Sequence, residues 1–474
     1  MKLYLDNIGI IKDSELQLDG LTVITGKNSS GKTTVGKVMY SLISAGSNLE
    51  EAFETSKKEY IVSKIVEVEK ALKLRRYRRI PFRSEKKSLM EEVFNILLSR
   101  DYTRFSADEL VAFLVATKDA IVELTQDDYK QIISGNELYN IENALNNDFP
   151  KWRQNALEIC TLALQLIGDE RAFYNFIKDR TNAFINHEFN KQIKPIKHPK
   201  STSRIELFDN EKCIVKARVI SKSKVEFSTE STFLYPCDRC IFIDNPYVID
   251  SLEKYRVLQH SMYKDFDTAD SIITSDDIAD HDEILSKLII DAPTKNYFDD
   301  VELQNKLATV FKKINDIVPG EFAETNDGFF YVNDGAQLSV KNLATGSKMF
   351  FIIKNLLLNG HVDNNTMLIL DEPESHLHPE WINKFAEILV VLVENIGVKV
   401  LLTTHSPNLM LALSVYARKM GISEASHFYL AENTSDNYFS KIRCIDDDIG
   451  EGYSHLSLPF VEMNLKLKEI QNGV

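Results

Sequence analysis

The chain has 474 residues, 44% of them hydrophobic and 27% charged, with a net charge of −14. Such a length exceeds one ordinary hydrophobic core, so two or more lobes are expected. The acidic balance argues against unselective coating of nucleic acid. The five scattered cysteines argue against a disulfide framework. No run of about 18 apolar residues is present to span a membrane. The N-terminus carries one lysine and no long apolar run, so no signal peptide is predicted and a cytoplasmic location is expected.

In chain order, residues 1–25 read as short strands broken by Asn7, Gly9 and Asp19-Gly20. The run LTVIT then enters GKNSSGKTT, residues 26–34, and a helix follows. Gly26, Gly31, Lys32 and Thr33 make the phosphate-loop pattern in its required strand–loop–helix context. Backbone N–H groups from Gly26 through Lys27, Asn28, Ser29, Ser30 and Gly31 to Thr34 can converge on phosphate oxygens. Lys32 would pair with the β- and γ-phosphates, and Thr33 would offer its hydroxyl to Mg²⁺. The plainer alternative is a glycine-rich turn before a helix.

From 47 to about 200 the apolar spacing is helical, without a heptad run long enough for a coiled-coil arm. Within it, KLRRYRRIPFRSEKK places eight Lys/Arg around Tyr77 and Phe82. Arg75, Arg76, Arg78 and Arg79 are candidates for contact with nucleic acid or an acidic partner, or they form a solvated helix face. Residues 204–246 return to strand character. Cys237-x-x-Cys240 lacks the second pair of a zinc site and reads as buried thiols. Residues 247–318 are helical, interrupted by a mobile acidic connector, TSDDIADHDE.

The last part, 319–474, carries three more pieces of chemistry. Gly346, in KNLATGSK, precedes an apolar helix whose N-terminus can cap an anion. Met367–Leu370 form a buried parallel strand ending in Asp371-Glu372. Ligands of α/β sheets gather at such strand ends. Asp371 can hold Mg²⁺, and Glu372 can take a proton from an attacking water. Glu374, Ser375, His376 and His378 invite a metal reading, but His-x-His alone is a poor zinc signature. VKVLL then ends in Thr403, Thr404 and His405, so His405 also faces the phosphates, unless it is only structural. Asp244-Asn245 end another strand and are the candidate for a further nucleotide-sensing position. Asp446-Asp447-Asp448 read as a solvated acidic turn rather than a nuclease triad.

The order of loop, glycine-led helix, acid strand and His resembles the SMC/RecF branch of ABC-type ATPases. DEPESHLHPEW followed by TTHSP is similar to the heads of the overcoming-lysogenization-defect type and of the Septu anti-phage ATPase. The resemblance covers residues 1–40 and about 325–432. It implies an α/β ABC/SMC-type P-loop ATPase head with a helical insertion lobe at 47–203. The head itself would be assembled from 1–46, 204–246 and 319–474, with a helical lobe at 247–318. It implies ATP and Mg²⁺ as ligands, and Lys32, Glu372 and His405 as the groups that act on ATP. Two copies would close around ATP. Each would present Leu343, Ala344, Thr345, Gly346, Ser347 and Lys348 to the other's phosphates. Glu374, Ser375, His376, Leu377 and His378 would form the loop that communicates across the interface.

The family's signature serine is Ala344 here, which implies slow hydrolysis. About 70 residues follow His405 and are expected to complete the head. That leaves effector chemistry to a separately encoded partner such as a nuclease, with the chain as a sensor or scaffold in anti-phage defence. A RecF-like DNA-clamping ATPase is the alternative.

Overall fold

The computed structural model describes residues 1–74, 88–133, 142–222, 224–256, 280–291, 297–435 and 438–471. Two compact units emerge among the described residues: those of Asn48–Ile177 form one, and Met1–Ser47 joins the described residues from Lys178 onward in the other. Arg75, Arg76, Arg78 and Arg79 lie outside the described residues.

The larger unit is built on three sheets. Strands β1 (Lys2–Asp6) and β2 (Ser14–Gln17) join β4 (Ser203–Asp209), β5 (Lys212–Val219) and β6 (Val225–Phe227) in an antiparallel sheet ordered β2-β1-β4-β5-β6. A three-stranded antiparallel sheet comprises β8 (Glu321–Thr325), β9 (Gly328–Asn333) and β10 (Ala336–Ser339).

The central sheet contains β3 (Leu21–Gly26), β7 (Arg239–Ile243), β11 (Thr366–Asp371), β12 (Lys399–Thr404), β13 (Ser426–Asn433) and β14 (Ser440–Cys444). Its order is β14-β13-β3-β12-β11-β7, parallel except for the β14 edge. Parallel strands covered on both faces must be apolar throughout. Accordingly β3 is buried along its whole length, and β11 is buried up to Asp371.

Flanking helices bury this sheet. They are α1 (Lys32–Gly46), α8 (His281–Ile290), α9 (Tyr297–Asn315), α10 (Thr345–Leu358), α11 (Pro379–Ile396) and α12 (Pro407–Lys419). Their ends follow local chemistry. Pro379 begins α11, with His378 Nδ1 accepting from the Glu380 N–H, and Gly397 ends it at φ 81°. Ser406 caps α12 by accepting from the Leu409 N–H. One contiguous core runs from Leu21 and Val23 through Phe350, Phe351, Leu370, Phe385 and Leu402 to Leu430.

The closing helix, α13 (Ile449–Gln471), departs from the expectation that it completes the head. Gly452 and Leu456 are buried, and Gly452 lets the helix approach Met410 of α12. Beyond Pro459, which donates no backbone hydrogen bond, the helix is exposed on every side.

The smaller unit is helical, with α2 (Leu49–Ala71), α3 (Ser88–Ser99), α4 (Ala107–Glu123), α5 (Gln126–Ile133) and α6 (Glu142–Ile167). Helix α7 (Ala172–Glu188) begins in this unit and ends in the larger one. Ile61, Ile65, Phe94, Leu110, Phe113 and Ala156 belong to the core of the smaller unit. Ser106 and Glu109 close a capping box at the start of α4.

Candidate nucleotide site

Register sets the site. Thr25 of β3 lies level with Thr404 of β12, and Thr403 lies level with Asp371 of β11. Leu370 pairs in turn with Ile243 of β7. The strand ends carrying Gly26, His405, Glu372 and Asp244 therefore line up along one edge of the sheet. Strands β11 and β12 are direct parallel neighbours.

The loop from Gly26 to Gly31 needs its glycines. Gly26 has φ 154°, and a Cβ there would meet the Ala431 carbonyl oxygen at 2.6 Å. Gly31 caps α1 at φ 85°, where a Cβ would press on Ile11 at 2.9 Å. Ser29 adopts φ 59° without that freedom. The first turn of α1 holds no acidic residue, and its cap, Gly31, has no side chain to accept from the first N–H groups, so the positive end of the helix is left for an anion.

Lys32 is buried and donates from Nζ to the Gly26 and Lys27 carbonyl oxygens, at 3.1 and 3.0 Å. Its Nζ lies 3.7 Å from Glu372 Oε1. Burial lowers the Lys32 pKa, against the pull of Glu372, Asp371 and Glu374.

Thr33 Oγ1 donates to Asp371 Oδ2 at 2.8 Å, and Thr403 Oγ1 donates to Asp371 Oδ1. Burial raises the Asp371 pKa despite both hydroxyls. A carboxylate that hydroxyls alone do not satisfy, next to a loop threonine, is the donor set of a hard cation. Two polar atoms of the β3–loop segment, Thr25 Oγ1 and Ser30 Oγ, are buried without a hydrogen-bond partner. The residues present thus fit a phosphate chain with Mg²⁺, which Thr33 and Asp371 would hold.

Glu372 sits at φ 49°, a left-handed conformation unusual for a side chain of this size. Its backbone is fixed by bonds from Glu372 N–H to Thr403 O and from Ser375 N–H and Oγ to Glu372 O. Glu372 Oε2 lies 3.2 Å from His405 Nδ1. Lys32, Glu372 and His405 thus lie along one run of close polar contacts, and the structure brings these three together.

Glu374 is a correction. It was expected on an intersubunit loop with Ser375 to His378, but its carboxylate turns inward. Oε1 accepts from Thr404 Oγ1 and from the His405 N–H at 3.1 Å, while Oε2 is buried without a partner. Burial raises its pKa. Leu377 is also buried, whereas Ser375, His376 and His378 are exposed. The reason is spacing: the turn Pro373–His376 is 3₁₀, with about three residues per turn, so its successive side chains point in different directions and cannot all face outward.

The segment Leu343–Lys348 is not joined to residues 26–34 by any hydrogen bond or ion pair among the described residues. Gly346 lies inside α10 rather than ahead of it, and a Cβ there would meet the His376 carbonyl oxygen at 2.9 Å. Ala344 is exposed at the helix cap, and Ser347 donates its N–H to Ala344 O. Leu343 packs partly against the core. Lys348 does not point outward: its buried Nζ pairs with Asp250 Oδ1 at 2.5 Å and lies over the Tyr247 ring. Lys348 opens the stretch of α10, Lys348 to Leu357, that is buried at every residue.

Sequence reasoning missed two features. Tyr247 joins Thr345, through a 3.1 Å hydroxyl contact, to the His376 ring. His281 is buried rather than part of a mobile connector. Its Nδ1 meets Glu188 at 3.1 Å and its Nε2 meets Asp244 at 3.3 Å. Burial opposes charge on this ring, but the carboxylates prevail and push its pKa up to about 10. His281 therefore fixes Asp244 beside the end of β11. The only signal in the sequence was a histidine among acids, DHDE.

The fold is a mixed α/β architecture with a central, mostly parallel sheet and flanking helices. The chain belongs to the family described as "AAA domain, putative AbiEii toxin, Type IV TA system", which matches residues 21–412. The "Old nuclease" of Escherichia phage P2 is 45% identical over 71 residues, 15% of this chain and 12% of that protein. The chain thus matches about an eighth of that relative's length. Among solved structures, the SMC head domain from Thermotoga maritima aligns over 94% of this chain and 98% of its own, at 12% identity and a TM-score of 0.36. The Smc head domain with a coiled coil and joint derived from Pyrococcus yayanosii aligns over 97% and 99%, at 10% identity and a TM-score of 0.34. No helix among the described residues is long and apolar enough to cross a membrane.

Proposed function

We propose that this chain binds and slowly hydrolyses Mg·ATP, and that two copies closing around the nucleotide form a switch controlling a separate effector, such as a nuclease, in prokaryotic anti-phage defence. The observation that carries this reading is the single strand-edge constellation of Lys32, Thr33, Asp371, Glu372 and His405. Lys32 binds and orients the phosphates. Thr33 and Asp371 hold the cation, which, when bound, offsets phosphate charge. Glu372 accepts the proton of the attacking water, and His405, 3.2 Å away, orients that carboxylate and senses the γ-phosphate. Ala344 brings no hydroxyl to the partner's phosphates, which suits a slow switch rather than a motor. Family membership and the short Old nuclease match support the defence role and a nuclease partner.

Equilibrium binding of a fluorescent ATP analogue, with molecular mass measured in parallel, tests this. Lys32→Ala should weaken binding by on the order of 100-fold or more, about 3 kcal/mol. Glu372→Gln should bind normally, lose turnover by roughly 10²–10⁴-fold and accumulate as a nucleotide-bound dimer. Tight binding by Lys32→Ala would overturn the phosphate-loop assignment. Normal turnover in Glu372→Gln would remove Glu372 as the base.

A further inference from the structure

Residues 458–471 of α13 leave the body of the larger unit and are exposed throughout. Seven of these fourteen residues are large and apolar: Leu458, Phe460, Val461, Met463, Leu465, Leu467 and Ile470. Phe460 is 66% exposed and Ile470 74%. A helix this short is marginal in water without packing. One that is apolar around most of its circumference is normally buried. Its surroundings must therefore come from outside the described fold.

Spacing says what kind of surface fits. Tyr453, Leu456, Phe460, Met463, Leu467 and Ile470 follow one another at intervals of three, four, three, four and three. That is the a/d seam that packs against a second helix knobs-into-holes. The seam starts inside the fold, at buried Leu456, and runs outward, so the body fixes where it is presented.

Charge says which helix. The exposed half carries Glu462, Lys466, Lys468 and Glu469, which cancel, on a chain of net charge −14. Two copies can approach here without the repulsion their remaining surfaces would impose. The positions flanking the seam are Ser457, Pro459, Asn464, Lys466 and Gln471. In a parallel pair of identical helices Lys466 faces Gln471 of the other copy, and no like charges meet. With on the order of 100 Å² exposed on each, the four seam side chains Phe460, Met463, Leu467 and Ile470 offer roughly 400 Å² per copy, about half of what one side of a standard interface buries.

We propose that a second copy of this chain covers this face, the two α13 helices pairing along Phe460, Met463, Leu467 and Ile470 without nucleotide. This contact is separate from the ATP-driven closure proposed above and does not depend on it.

Sedimentation velocity on the full chain in nucleotide-free buffer tests the pairing. The wild type should be dimeric or larger at micromolar concentration. Phe460→Glu/Leu467→Glu should sediment as a single chain, its association weakened by at least about 100-fold. Both residues are exposed, and an unchanged far-UV circular dichroism spectrum would show that the fold survives. Lys32→Ala should associate like the wild type. A single-chain wild type overturns the proposal. So does a double variant that keeps the wild-type mass, or a Lys32→Ala variant that loses it. Adding Mg·ATP to the double variant then reports on nucleotide-driven closure alone, so failure of either idea is seen separately.

Discussion

Glu69 in the helical unit and Asp371 in the larger unit are both carboxylates drawn away from water, yet their surroundings differ in kind. Buried Glu69 meets a full counter-charge. Arg100 reaches its Oε2 at 3.0 Å, and Tyr102 donates to its Oε1 at 2.5 Å. Asp371 meets hydroxyls only, and burial raises its pKa. Burial also raises the pKa of Glu374, three residues on, which accepts from a hydroxyl and a backbone N–H. Among the described residues, Lys32 is the one Lys or Arg in an ion pair with Asp371, Glu372 or Glu374, and it pairs with Glu372. A carboxylate balanced from within serves structure. A group of them left short of positive charge is poised for a cation from outside.

Opposite signs of response to the same change would sharpen that contrast. Asp371→Asn keeps its shape, and Thr33 and Thr403 can still hydrogen-bond it, because a hydroxyl both donates and accepts. It should abolish Mg²⁺-dependent turnover, a loss of at least roughly 100-fold. Without nucleotide it should raise the thermal midpoint near neutral pH by roughly 1–3 °C. A folded-state pKa above the unfolded one gives stability at low pH that is lost as pH rises through the folded value. The nucleotide-free wild type should accordingly gain on the variant as pH falls through the carboxylate range. A variant less stable than wild type at neutral pH would mean that Asp371 is as well satisfied as Glu69, and the contrast would break.

Glu69→Gln should do the reverse. It leaves Arg100 without its partner, at a cost of about 1–2 kcal/mol. The loss should appear as faster amide exchange in α2 and α4, because local opening is resolved there. ATP affinity should stay within about twofold of wild type, since this ion pair belongs to the other unit.

Much of the site was legible in the sequence because its parts are local. An apolar run with no polar interruption marks a strand covered on both faces. A glycine loop between such a run and a helix marks an anion site. Asp371, Glu372 and His405 lie at or just past the ends of such runs, parallel register brings those ends level, and Thr33 follows the glycine loop that leaves β3. What a linear pattern does not carry is side-chain direction and long-range pairing. Glu374 is followed by exposed Ser375 and His376, and only three-dimensional packing turns it in, while the pairing of Lys348 with Asp250 spans residues far apart in the chain. His281 lies 93 residues from Glu188, and its acidic neighbours look like a solvated connector. The heptad of α13 was present in the sequence, but a final helix is ordinarily read as packing on its own domain.

The smallest expected effect belongs to Glu374, and it separates charge from positioning. Its Oε1 accepts from Thr404 and from the His405 N–H, so it holds the peptide on which His405 stands. His405 in turn meets Glu372 through Nδ1. Glutamine keeps a carbonyl oxygen at the same place and can preserve both bonds. Glu374→Gln should therefore change turnover by no more than about threefold, with KM unchanged. Alanine removes the acceptor and leaves two buried donors loose. Glu374→Ala should lower kcat by roughly tenfold, again with little change in KM, because the phosphates themselves are not contacted. If glutamine and alanine were equally damaging, the negative charge of Glu374 near Lys32 would be what matters. Equal harmlessness would mean that His405 keeps its place without this carboxylate, and the inward turn of Glu374 would be packing alone.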